Sequence, residues 1–136
     1  MTVGTPGERA ELTARINTIE EAYEFMLAYA SQGLASDSGS EHPIRDYLRR
    51  CHAALTGLAE FVTRSVEQFD AEAAAPFHGF AAVIQSDARK AQAAVQLVLA
   101  QPSIASQLVD NLNASIHLRA LLTDLFLIDE ALKARK

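Results

Sequence analysis

Cysteine occurs once in the 136 residues, at Cys51, and tryptophan does not occur at all. A lone cysteine cannot close an intrachain disulfide, build a Cys/His zinc cluster or supply a Cys-x-x-Cys-His haem attachment. Six glycines and four prolines are too few to punctuate the many turns of a β-sandwich or barrel. No run approaches the roughly 18 apolar residues of a membrane span. The densest stretch, Ala120 to Leu127, is broken by Thr123 and Asp124. Met1 to Arg15 lacks the basic start and continuous apolar centre of a secretory leader. The expected compartment is therefore the cytoplasm, with no membrane partner. Positive charge is also scarce: 12 Lys and Arg stand against 17 Asp and Glu, a formal net charge of −5. That balance argues against a nucleic-acid partner.

Residues that build a core are plentiful. Hydrophobic residues make up 49% and charged residues 21%, a composition that folds. The length suits one domain over 1–136. Apolar residues recur at helical spacing throughout. Thr5, Pro6 and Glu8 make a helix start, with a capping side chain, a proline at the first position and a capping-box glutamate. The stripe Leu12, Ile16, Ile19, Tyr23, Met26 and Ala30 follows, and Gly33 is a stop. A polar loop over 34–42 leads to Pro43 and a second stripe, Ile44, Leu48, Cys51, Leu55, Leu58, Val62, Ser65 and Phe69. Pro76 restarts the chain, because Ala75 before it is steered away from helical angles. The third stripe is Phe77, Phe80, Ile84, Asp87, Ala91, Ala94 and Val98. The fourth, after Pro102, runs from Ile104 to Leu132. These patterns predict an all-α, antiparallel up-down-up-down four-helix bundle with helices near 6–33, 43–69, 76–100 and 103–134.

Several chemistries lack their parts. There is no phosphate-cradling GxxxxGK[ST], no GxGxxG and no GxSxG turn. None of the four histidines follows a Glu by three residues, so the Glu-x-x-His pairs of a di-iron bundle are missing. Cys51 lies on an apolar stripe, where a thiol behaves as a small hydrophobe. The expectation is no cofactor, no metal and no catalytic set.

Four features depart from a plain bundle. Asp87 falls inside the third stripe, where a carboxylate is costly to desolvate without a partner. At the middle of the bundle Tyr23, His52, Asp87, Asn111, Ser115 and His117 fall near one level, a candidate polar layer that would bind a small ligand. Arg45, Arg49 and Arg50 open the second helix as a candidate anion or partner face. Leu121, Leu125, Phe126, Leu127 and Ile128 make the fourth helix apolar nearly all round, a candidate homodimer seam. The leading expectation is a non-enzymatic accessory or regulatory module that acts through protein–protein contact, with itself or another protein. The alternatives are a small-ligand-binding bundle centred on Asp87, or an enzyme that uses Asp87 and a histidine as an acid/base pair.

Overall fold

A computed structural model describes residues 6–38 and 43–135, and the Pro6 and Glu8 side chains are outside that description. The expected Thr5 cap and the second half of the 34–42 loop lie outside the described residues. All the regular structure among the described residues is helical. There are six helices rather than the four expected: α1 (Pro6–Ala30), α2 (Ile44–Leu55), α3 (Leu58–Ser65), α4 (Ala71–Leu99), α5 (Ser106–Ala114) and α6 (His117–Lys133). None is long and apolar enough to cross a membrane. α1 packs on α2, α3, α5 and α6, and α4 packs on the same four.

The expected second helix is cut by Gly57. Its left-handed backbone (φ 75°) is open to glycine at little cost. Two side chains hold the break from opposite sides. Arg15 of α1 places Nη1 2.6 Å from the Thr56 carbonyl, with the Ala53 and Ala54 carbonyls at 3.3 and 3.4 Å. A cation at the last carbonyls of α2 satisfies orphan acceptors and matches the negative end of the helix. From α4, Gln92 Nε2 donates to the His52 carbonyl (3.1 Å) and to Thr56 Oγ1 (2.9 Å).

The expected fourth helix is cut at Ser115 and Ile116. Ser115 Oγ donates to the Leu112 carbonyl, and Ile116 takes a left-handed backbone at φ 63°. The stripe residue Ile116 is consequently expelled and stands 58% exposed.

The third helix starts earlier than proline led one to expect. Asp70 caps it, its carboxylate accepting from the Ala73 N–H at 2.8 Å. Pro76 then sits inside α4, exposed and only in the second turn. It removes one hydrogen bond, to the Glu72 carbonyl, which is near enough to the helix end for solvent to reach.

The core is one cluster of buried side chains drawn from all six helices. On α4 the buried row is Ala74, Phe77, Ala81, Ile84, Ala88, Ala91, Val95 and Val98. That row is a regular alternation of three and four, and Asp87 lies one step around from it. On α1 the buried row drifts to Ala22 and Tyr29, leaving Tyr23 and Ala30 half-buried.

Polar contacts tie the connecting segments together. Tyr29 Oη donates to the Ile104 carbonyl at 2.6 Å. Buried Ser106 accepts from the Leu34 N–H and donates to the Tyr29 carbonyl. Asp37 accepts from the Ile104 N–H at 2.8 Å.

Candidate functional site

α4 and α6 run antiparallel, the Pro76 end of one lying against the Ala131 end of the other. Two rows of matching spacing face each other across the seam. On α4 the row is Pro76, Phe80, Val83 and Asp87. On α6 it is Ala120, Asp124, Leu127 and Ala131. Steps of four, three and four keep each row on one helix face. At one end Pro76, Phe77, Phe80, Leu127, Ile128 and Ala131 line a groove of about 140 Å³, almost wholly apolar. Leu127 is 59% exposed on its rim. Phe126 and Val83 are exposed elsewhere on the same two helices.

Further along these rows the carboxyls of Asp87 and Asp124 meet. Burial and the neighbouring Asp87 carboxyl push the Asp124 acid up to about 7. Asp124 Oδ2 is shielded from solvent and accepts from no donor among the described residues. A second carboxyl beside it disfavours the ionised form of Asp124.

Among the described residues no side-chain hydrogen bond joins the members of the expected mid-bundle polar layer. Asp87 turns sideways toward α6, because the buried α4 row excludes it. Tyr23 lies in a shallow surface groove with Leu27, Asp110 and Asn113. His52 is half-buried, with its main-chain carbonyl held by Gln92. Asn111 is exposed and accepts from Gln107. Ser115 and His117 stand on either side of the α5–α6 break. The buried tyrosine is Tyr29, and the fully buried polar side chains are Ser65 and Ser106. The helix breaks and the drift of α1 displaced the predicted level.

The arginine face is likewise dispersed. Arg45 is turned inward: Nε donates to Asp37 (2.7 Å), Nη1 to the Leu99 carbonyl (3.1 Å) and Nη2 to the Gln101 carbonyl (2.8 Å). Arg50 pairs with Asp46 and stacks on the Tyr47 ring. Arg49 is exposed. A guanidinium already bound on three sides does not recruit an anion. Of the proposed seam, Leu121, Leu125 and Ile128 are buried in the chain's own core, and Phe126 and Leu127 are exposed. α6 packs chiefly on α4, with α1 and α5 beside it. Cys51 is fully buried, and burial pushes its thiol up to about 12, which leaves it unreactive.

A second concavity was not anticipated. The α2–α3 break opens a cleft of about 540 Å³ against α4. Alanines form much of its wall, and Thr63, Arg64, His78, Gln85, Arg89 and Gln92 line it. Among the described residues no three His, Cys, Asp or Glu side chains gather as a metal site needs.

Asp124 was visible in the sequence only as an interruption of an apolar run. No local signal pairs it with Asp87, because the pairing depends on the register of α4 against α6. No family model matches the sequence, no curated protein matches it, and no solved structure matches the fold.

Proposed function

We propose that this chain is a non-enzymatic helical module whose α4–α6 face docks a protein partner. The supporting observation is the apolar groove with Leu127 exposed on its rim, on the same two helices as Asp87 and Asp124, which form no ion pair among the described residues. Contiguous exposed apolar surface marks interaction sites. In this reading α2 with α3, and α5 with α6, act as two bent rods beside α1 and α4. The path is then a four-rod, up-down-up-down bundle, and the breaks are where it bends. α1 and α4 packing on both bent rods supports that arrangement. The groove offers no acid/base pair with histidine. The group that meets Asp124 is Asp87, and His117 precedes Asp124 by two turns, about 10 Å of helix rise.

The test is site-specific photo-crosslinking in the host cell. A benzoylphenylalanine at position 127 is expected to give a discrete adduct. The same residue at 97, an exposed leucine elsewhere on α4, is expected to give none. Equal labelling at both positions removes the reading. An adduct with a second copy of the chain makes the module a homodimer through this face.

A second reading rests on the 540 Å³ cleft, whose size suits a small molecule. Specific protection of α3 and α4 amides from exchange by a bound metabolite, with α6 unaffected, is the result that favours it.

A further inference from the structure

Along α4 the row from Pro76 to Asp87 spans eleven residues, about 16 Å, or three helical turns. The Phe80–Leu127 end is apolar, and the Asp87–Asp124 end is acidic. Among the described residues neither carboxyl forms an ion pair. The nearby cations are placed otherwise. Lys90 is exposed one turn beyond Asp87 on α4. Arg119 is exposed on α6, five residues before Asp124, which puts it well around the helix. Arg9 of α1 and Lys133 both go to Asp129. Arg89 lines the cleft on another face of α4. A shielded carboxylate oxygen with no donor, beside a second carboxyl, is a site of uncompensated negative potential at the end of an apolar track. Its complement is a cation at the end of an apolar stripe.

We propose that the α4–α6 groove docks an amphipathic helix of a partner protein, with apolar residues along the Phe80–Leu127 end and one Lys or Arg entering between Asp87 and Asp124. This rests on the reading of the groove as the docking face. Helix-in-groove recognition uses anchors at i, i+3 or i+4 and i+7, which fit the track, and the cation falls one further turn along. A second copy of this chain does not supply that complement. In an isologous pair of grooves the acid pair meets either itself or the apolar end of its mate. A cation beside Asp124 favours its ionised form, so docking releases to solvent the proton that the raised acid holds in part at pH 7.

The experiment uses three synthetic helical peptides with identical apolar faces that carry Arg, Gln or Glu at the cation position. Each is titrated into the full-length ¹⁵N-labelled protein at pH 7. The expected result is shifts at amides around Val83, Asp87, Asp124 and Leu127. The Arg peptide binds roughly tenfold tighter than the Gln peptide, and the Glu peptide binds weakest. Calorimetry in two buffers of different ionisation enthalpy is expected to show proton release with the Arg peptide only. In the double variant Asp87→Asn with Asp124→Asn, the Arg preference is lost and Gln-peptide binding is kept. Equal affinity of the Arg and Gln peptides for the unaltered protein overturns the cation proposal and leaves the groove standing. Retention of the Arg preference in the double variant does the same. Absence of α4–α6 shifts with all three peptides overturns the groove itself. Self-association that is blocked by Leu127→Arg, with no peptide binding, assigns the face to a second copy and overturns the proposal.

Discussion

Arg45 and Asp37 are joined by a 2.7 Å hydrogen bond, and through their remaining atoms they clasp the opposite end of the chain. Arg45 reaches the Leu99 and Gln101 carbonyls, and Asp37 holds the Ile104 N–H. The connection after α1 is thereby fixed to the connection after α4. Burial by itself raises the Asp37 acid. The Ile104 N–H and the Arg45 guanidinium outweigh it, and the net result lies below the usual carboxylate value. A lowered acid contributes stability above the unfolded-state value, and that stability is lost as pH falls through the folded one. Asp37→Asn is expected to cost about 1–3 kcal/mol at pH 7. The difference from the unaltered protein should narrow in urea unfolding carried out below pH 3.8, the ordinary value for this acid.

Asp124 runs the other way. Its acid is raised, so its contribution is full below 3.8 and is lost as pH climbs toward about 7. Asp124→Asn is expected to stabilise the protein at pH 8 by about 1 kcal/mol, a small figure because solvent at the groove mouth screens the pair. The gain should vanish by pH 4. Melting curves of the variant and parent at the two pH values check this. A variant less stable than its parent at pH 8 would show that the two carboxyls do not repel.

Ile116 holds a β-branched side chain at φ 63° with its apolar surface in solvent. A left-handed backbone is unfavourable for isoleucine, and asparagine tolerates it far better. Ile116→Asn is expected to raise stability by about 1 kcal/mol, a few degrees in melting temperature for a chain of this size. Ile116→Val, which keeps the branch, should leave it unchanged. A fall in melting temperature with asparagine would mean that Ile116 has a packing role.

Cys51 should resist alkylation in the folded protein, since the reactive thiolate is suppressed both by burial and by an acid constant near 12. Its labelling by iodoacetamide is expected to track global unfolding across a urea titration. Rapid labelling in native buffer would reveal local opening of α2.

Much of the fold was legible because hydrophobic periodicity survives local interruption. The stripe Leu48, Cys51, Leu55, Leu58 and Val62 is buried on both sides of the Gly57 break, as if the helix had continued. The breaks themselves were not legible. Gly57 is an ordinary helix-interior glycine until Arg15 and Gln92 arrive from other helices to hold it open. Pro76 was read as a helix start because proline commonly is one. The Asp70 cap six residues earlier carried the true signal. The site was half legible. Asp87 stood out as an acid beside apolar positions. Its partner could not be named, since the residue that meets it depends on the register of α4 against α6.

The sequence alone determined that the described chain is helical and most of the residues that enter its core, because burial follows a period written locally along each helix. It also determined that Cys51 is buried. Tertiary structure decided what the polar residues do. Arg45 became an internal clasp instead of an anion site. Tyr29 rather than Tyr23 was buried, and Asp87 was set against Asp124 rather than a histidine. The reason is physical: a core position is specified by the spacing of its own helix, whereas a polar side chain's role is set by the neighbour that burial happens to bring within hydrogen-bond distance.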